Sequence, residues 1–236
     1  SQKLMLSELY DKLRIPVRST ESLAEYLGMK KGQQDDLKDV GGFVGGELSD
    51  GKRRAASVKG RDIIVLDLDN LPPGGTDDIL RRLDGLGCGY CCYSTRKHRP
   101  EAPRLRVILP LDRTVTADEF EPAARRTAWY IQPELTFFDK TTFEPSRLMY
   151  YPSVSSDAEY IYKTADKPFL STDGLLATYT DWRDMTQWPQ VPGATAEYSR
   201  LAKRQADPET KHGTVGAFCR VYNVYSVMDK FLNGVY

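Results

Sequence analysis

The chain has 236 residues, with 33 lysines and arginines set against 33 aspartates and glutamates. That length makes one large domain or two small ones, and the charge balance excludes a basic coat for nucleic acid, so any polyanion site must be a local concentration of cations. Apolar residues at 40% and aromatics at 11% exclude a disordered chain, and no apolar run approaches the roughly 20 residues of a membrane span.

Leu6, Leu9, Tyr10 and Leu13 recur at helical spacing, and Leu23, Ala24, Tyr26 and Leu27 do so again after Thr20 as an N-cap, so residues 1–38 read as short helices. The segment Gly41-Gly42-Phe43-Val44-Gly45-Gly46 forces a change of course ahead of the basic stretch Gly51-Lys52-Arg53-Arg54. Ile63-Ile64-Val65-Leu66 is an unbroken apolar run of strand length, the pattern of a central strand covered on both faces, and Leu71-Pro72-Pro73-Gly74-Gly75 ends it. Thr76 caps a helix carrying Ile79, Leu80 and Leu83, closed by Gly85 and Gly87. Tyr90–Tyr93 and Leu105–Leu109 are a second and a third strand. Thr116 and Glu119 have capping-box spacing before a helix to about Ile131, with Pro122 bearing on where it starts. Arg147–Tyr151 is a fourth strand, stopped by Pro152.

The order β-α-β-β-α-β is the split βαβ plan, so the expected fold is α+β with a ferredoxin- or RRM-like core. Residues 1–165 are expected to form the catalytic domain, an N-terminal α/β part over 1–60 and the core over 61–165, with a C-terminal linker and helical segment over 166–236. In that last part Trp182, Trp188, Pro189 and Pro192 mark an ordered crossing segment, Tyr198–Lys211 a charged linker or helix, and Ala217–Leu232 a helix.

Asp67 and Asp69 stand two apart at the end of the apolar strand, which puts both carboxylates on one face. Carboxylates that close repel unless a cation lies between them, and a hard divalent ion, Mg²⁺ or Mn²⁺, is the natural occupant; a plain Asp-Asn turn is the simpler alternative. In the split βαβ plan the end of the first strand lies beside the starts of the third and fourth. Arg104 and Arg106 open the third, Arg147 opens the fourth with Asp139 and Lys140 just before it, and Arg96, Lys97 and His98 lie in the hairpin loop. Three carboxylates (Asp67, Asp69, Asp139) with this cationic cluster are the ingredients of two-metal phosphoryl chemistry: acids for two ions, cations for a triphosphate.

These residues carry a resemblance. Ile63-Ile64-Val65-Leu66-Asp67-Leu68-Asp69 is similar to the first motif of archaeo-eukaryotic-type primases, His98 to the histidine of their second, and Phe138-Asp139 to their third. Lys38–Gly46, Ser94–His98, Pro103–Arg106, Pro110–Arg113, Pro145–Tyr150 and Lys211–Arg220 resemble the primase part of phage and mobile-element replication proteins of the virulence-associated protein E type. The resemblance implies a nucleotidyltransferase, a DNA primase or primase-polymerase, that joins nucleotides on a single-stranded DNA template. Asp67, Asp69 and Asp139 would hold two Mg²⁺ or Mn²⁺ ions, and His98, Arg96, Arg104, Arg106 and Arg147 would grip the nucleoside triphosphate. One departure stands out: Arg96 occupies the place of a small hydroxyl residue in the usual Ser-x-His motif. Family members often continue into a helicase, so a helicase domain or subunit outside this chain is an expected partner, with no membrane.

Weaker signals point elsewhere. Gly46–Arg53 nearly fits a P-loop, but Arg53 stands where the metal-binding hydroxyl is required. Cys88, Cys91 and Cys92 include a Cys-x-x-Cys without a second pair, so strand-core thiols, reduced in the cytoplasm of a bacterial host, are expected rather than zinc. Ser1–Leu6 is too short and polar for a signal peptide. Two rivals share the same residues: a non-catalytic ferredoxin-like module that holds single strands or nucleotides, and a metal-dependent nuclease using the Asp pair.

Overall fold

In a computed structural model describing residues 3–49, 52–54 and 57–192, the chain first lays down α1 (Leu6–Arg14), β1 (Val17–Arg18), α2 (Leu23–Gly28), α3 (Lys31–Lys38), β2 (Gly42–Phe43) and β3 (Gly46–Leu48). There follow β4 (Val58–Leu68), α4 (Thr76–Gly85), β5 (Tyr90–Ser94), β6 (Leu105–Val115) and α5 (Ala117–Ile131). A 3₁₀ turn (Lys140–Phe143), β7 (Met149–Tyr150), β8 (Ser153–Val154), β9 (Tyr162–Ala165), α6 (Thr172–Leu176) and another 3₁₀ turn (Met185–Gln187) complete the order, and all these elements belong to one unit, Ser1–Pro192. The elements predicted at Tyr198–Lys211 and Ala217–Leu232, with His212, Cys219 and Gly51, lie outside the described residues.

The fold is α+β. Its main sheet has the order β3-β4-β6-β5-β9 with antiparallel neighbours throughout. Strands β4 and β5 flank β6 and are joined through α4, which is the split βαβ arrangement. The predicted fourth strand is the correction: Met149–Tyr150 pairs with Gly42–Phe43 in a separate two-stranded sheet, not with β4. The edge of β4 it was expected to fill is already taken. Its first half pairs with β3, where a Cβ on Gly46 would come within 2.0 Å of the Gly60 carbonyl oxygen, so only glycine permits the approach.

The second half of that edge is closed by a side chain. Thr142 accepts the Asp67 N–H at 3.0 Å and donates to the Val65 carbonyl at 2.8 Å, both buried. β9 was not anticipated, because Tyr-Lys-Thr-Ala on a sheet edge has no apolar run to announce it. β6 runs on past its predicted end through Pro110, which sits where the register with β4 shifts, an irregularity that spares a ladder bond proline cannot donate. The cap of α2 is Ser22, whose Oγ accepts from the Glu25 N–H while Glu25 accepts from the Ser22 N–H at 2.7 Å, so Thr20 is not the cap; Gly75 precedes α4, with Thr76 as its first residue.

Both faces of β4 are covered, as its sequence requires. Ile63 and Val65 pack with Leu9 and Leu13 of α1, Phe43, Cys91, Tyr93, Ile108 and Met149. On the other face α5 lies across the strand, above the fully buried Ile64 and Leu66. Cys88, Cys91 and Cys92 are free and buried, and burial pushes the Cys91 thiol up to about 12, which keeps it protonated. Among the described residues no helix is long and apolar enough to cross a membrane.

Thr142→Val would keep the shape of the side chain and orphan the buried Asp67 N–H and Val65 carbonyl. Each orphaned group costs about 1–3 kcal/mol, so a loss of at least about 2 kcal/mol is expected in urea unfolding; an unchanged midpoint would show that the strand edge does not need the hydroxyl.

Candidate active site

The same edge brings the third acid to the first two. Leu68 and Phe138 form an antiparallel bridge, the Asp139 N–H donates to the Asp67 carbonyl at 2.9 Å, and the Asp69 N–H donates to the Phe137 carbonyl at 2.9 Å. Asp139 then caps the 3₁₀ turn, its Oδ1 accepting from the Thr141 N–H and Oγ1, each at 2.8 Å. Backbone pairing, not the expected fourth strand, holds Asp139 beside Asp67.

Across the sheet, Asp67 lies opposite Arg106, and Arg106 opposite Tyr93. Directly opposed residues share a face, so the two-residue spacings of Asp67/Asp69 and Arg104/Arg106 align acids with arginines. Arg106 grips Asp67 through two nitrogens, the Nη2–Oδ2 distance being 3.2 Å, and donates from Nη1 to the Tyr150 carbonyl at 2.8 Å and to the Tyr93 hydroxyl at 3.3 Å. The Asp67–Arg106 pair is nearly sealed, with side-chain exposures of 10% and 7%. Burial disfavours the Arg106 charge, but the neighbouring Asp67 carboxylate outweighs it and favours the charged guanidinium.

Two looser pairs continue the pattern. Arg104 Nη1 is 2.9 Å from Asp69 Oδ2, at 34% and 32% exposure, and Arg147 Nη2 is 3.8 Å from Asp139 Oδ2, at 38% and 29%. All six of these residues line one cavity of about 450 Å³. Its lining also takes in Tyr26, Lys31 and Lys38 from the N-terminal helices, with Lys97 and Arg53.

The remaining predicted residues behave differently. Arg96 lines the cavity but is 4% exposed, with its guanidinium stacked 4.4 Å above the Tyr26 ring, paired with Glu21, and donating to Ser19 Oγ at 2.6 Å. His98 is not on the cavity wall. It is buried in the hairpin loop, where its Nδ1 accepts the Arg104 N–H at 3.1 Å. Burial holds it below the usual histidine value, and a neutral ring accepting at Nδ1 carries its proton on Nε2. Lys38 is among the lining residues that sequence reasoning did not assign. Its Nζ lies 5.2 Å from the Tyr150 ring centroid, and burial together with Arg106 lowers its affinity for a proton. The end of a polar helix before Asp39-Val40-Gly41 gave no spacing signal for it.

Three carboxylates are the hard oxygen donors that Mg²⁺ or Mn²⁺ takes. Burial raises the Asp69 carboxyl, and the charges of Asp67 and Asp139 add to it against the relief from Arg104, so a cation there would remove a repulsion. Among the described residues no three ligating side chains are gathered closely enough to hold an ion as they stand; the arginines hold the carboxylates. The donor chemistry fits a divalent ion once Arg104 and Arg147 let go of Asp69 and Asp139.

The two strand acids should therefore differ in stability. Asp67→Asn leaves Arg106 buried without its counter-charge and is expected to cost about 3 kcal/mol or more in chemical unfolding. Asp69 has a raised folded-state value, so its ionised form works against the fold once the pH climbs through that value. Asp69→Asn is expected to stabilise the protein at pH 7, with the gain vanishing well below the ordinary value of 3.8. Equal losses for both variants would contradict the assigned burial.

Comparisons with known proteins enter here. The VapE N-terminal domain family matches residues 1–191. Among solved structures, the AEP domain of the cyanophage S-2L primase-polymerase is similar at 14% sequence identity and a TM-score of 0.42, covering 63% of this chain and 76% of that one. No curated protein matches the sequence. The family match takes in every residue of the cavity, from Tyr26 to Tyr150, and the chain belongs to the VapE N-terminal domain family.

Proposed function

We propose that this domain is a primase-polymerase, which joins nucleoside triphosphates on a single-stranded DNA template in the replication of a phage or mobile element. The observation that carries this reading is the set of three acid–arginine pairs (Asp67–Arg106, Asp69–Arg104, Asp139–Arg147) gathered around one polar cavity from separate stretches of chain. Its motif residues resemble those of archaeo-eukaryotic-type primases, and membership of the VapE family supports it.

The roles follow from exposure. Arg106, held by Asp67, Tyr93 and the Tyr150 carbonyl, is a fixed cation beneath the phosphates, whereas Arg104 and Arg147 are open enough to swing from carboxylate to phosphate oxygen. His98, buried off the cavity wall with its Nδ1 accepting the Arg104 N–H, would in this reading hold the backbone of Arg104 rather than touch the nucleotide. Arg96 is committed to Glu21 and Tyr26 and in this reading shapes the wall rather than touching the nucleotide. Asp67, Asp69 and Asp139 would hold two Mg²⁺ or Mn²⁺ ions, which supply an acidified attacking hydroxyl and a stabilised leaving pyrophosphate. The 3′-hydroxyl oxygen bonds to the α-phosphorus, the bond from that phosphorus to the bridging oxygen breaks, and pyrophosphate departs with the electron pair while the hydroxyl proton passes to solvent.

The pairing has a thermodynamic consequence. A metal ion alone must pull a carboxylate from its arginine, and a triphosphate alone must pull an arginine from its carboxylate. Together they exchange partners, so each should tighten the other by the same factor. Calorimetric titration is expected to show triphosphate affinity rising with Mn²⁺ and Mn²⁺ affinity rising with triphosphate. Tight binding indifferent to the metal would favour the second reading, a nucleotide-holding module, which the arginine-capped carboxylates also suit. The direct test is synthesis of labelled oligonucleotides on single-stranded DNA. Asp69→Asn, chosen because the fold should tolerate it, is expected to cut the rate about 100-fold or more, and unchanged synthesis would refute the catalytic assignment.

A further inference from the structure

Arg61, near the start of β4, is 1% exposed and is the largest fully buried side chain among the described residues. Its Nη1 donates to the Pro145 carbonyl at 2.5 Å and its Nη2 to the Ile63 carbonyl at 3.4 Å. The guanidinium lies 4.3 Å from the centre of the Phe120 ring on α5. Among the described residues no carboxylate forms an ion pair with it, and its Nε has no partner. Burial pulls its pKa down to about 10 against the attraction of Asp62. The chain makes room for this side chain, since a Cβ on Gly45 would come within 2.7 Å of Nη2.

A charge buried against carbonyls alone carries a desolvation cost that an apolar side chain of similar length would not. Stability therefore does not account for an arginine here. Its contacts instead locate a stretch of backbone. Glu144, Ser146, Arg147 and Leu148 line the polar cavity, and Pro145 is the member of that stretch that does not. Arg61 holds the stretch at Pro145, and the Arg147 N–H donates to the Glu144 carbonyl at 3.1 Å, closing a turn around it. Arg147 depends on such a hold because its own pairing is loose. Its Nη2 is 3.8 Å from Asp139 Oδ2 and its buried Nε has no partner, so its main chain decides where the guanidinium can reach.

We propose that Arg61 is a positioning residue of the phosphate grip, fixing the turn at Pro145 so that Arg147 meets the triphosphate. The assignment rests on the nucleotidyl-transfer reading above and adds to it a residue that does not line the cavity. The same strand, β4, carries Arg61 near its start and Asp67 near its end. Through this one arginine the turn before β7 is referred to the strand that presents the acids, so Arg147 and the carboxylates are set against a common frame.

The test is a double-mutant cycle on the full chain, with binding of a nucleoside triphosphate in Mn²⁺ measured by calorimetry. Arg147→Ala is expected to weaken binding about tenfold or more, the worth of one charge-assisted hydrogen bond. Arg61→Met, which fills the same space without a donor, is expected to lose a large part of that affinity on its own. In the Arg147→Ala background it should cost less than about twofold, because the group it positions is gone. A smaller loss with the same dependence on Arg147 is expected for Arg61→Lys, which keeps one donor and gives up the fork. The lysine variant carries the cycle where the methionine variant does not fold. Losses of equal size in both backgrounds, or none in either Arg61 variant, would overturn the positioning role and leave the reading of the cavity intact. An unaltered protein that binds no triphosphate would overturn that reading, and the role of Arg61 with it.

Discussion

The register of β4 on β6 is the constraint on which the site depends. Side chains alternate faces along a strand, so a slip of β4 by one residue would carry Asp67 and Asp69 to the side covered by α5, away from Arg104 and Arg106. Apolar residues specify the register on both faces: Ile63 and Val65 must meet α1, Phe43 and Ile108, while Ile64 and Leu66 must lie beneath α5. The Asp67–Arg106 pair sits at the end of this apolar ladder and could not by itself fix the alignment, since the desolvation of two charges consumes most of their attraction. What the pair adds is intolerance of error, because a slipped strand would bury both charges without partners. Hydrophobic burial thus supplies the stability, and the ion pair penalises the alternative.

A gradient of exposure runs along the row of pairs from that buried end. Asp67 and Arg106 are sealed, Asp69 and Arg104 are about one-third exposed, and Asp139 and Arg147 are similarly open and farther apart. Attraction between exposed charges is weak, on the order of 1 kcal/mol or less, because water and salt screen it. The outer arginines can therefore change partners at little cost, whereas the inner one cannot. Under the proposed function, exchanging carboxylate–arginine for phosphate–arginine contacts would use this division between one rigid cation and two looser ones.

Much of the site was legible in the sequence because period-2 alternation is rigid. Two acids two apart at the end of one strand, and two arginines two apart at the start of its neighbour, have few ways to avoid each other once the strands are antiparallel. The helix capped by Thr116 and Glu119 and the buried cysteines were equally direct, since capping chemistry and continuous apolar strands are local signals. The position of the fourth strand was not legible. Two strands can compete for one edge of β4, and the winner is set by Gly46 and Gly60 admitting β3 and by a threonine hydroxyl imitating a strand, neither of which follows a pattern in the chain. Arg96 was misleading for a related reason: an arginine in a basic loop looks the same whether its partner is a phosphate or Glu21, which lies 75 residues earlier.

That last contact shows why the N-terminal part cannot be treated as an accessory to the core. Leu9 and Leu13 of α1 share one apolar cluster with Ile63 and Val65, and Arg18 Nη1 donates to the Ser155 and Ala158 carbonyls at 3.2 and 3.0 Å. Arg96 adds a buried charge pair to Glu21 and a cation–π contact to Tyr26, so the hairpin loop is anchored at the entrance to α2. Tyr26, Lys31 and Lys38 from these helices line the cavity with the acids. Detaching residues 6–38 would expose the face of β4 packed on α1 and remove Lys31 and Lys38 from the cavity lining together. The small hydroxyl residue that a Ser-x-His loop would place at position 96 cannot make that anchor. The arginine here therefore stiffens the wall, and under the proposed function the phosphate grip falls to the arginines of the sheet.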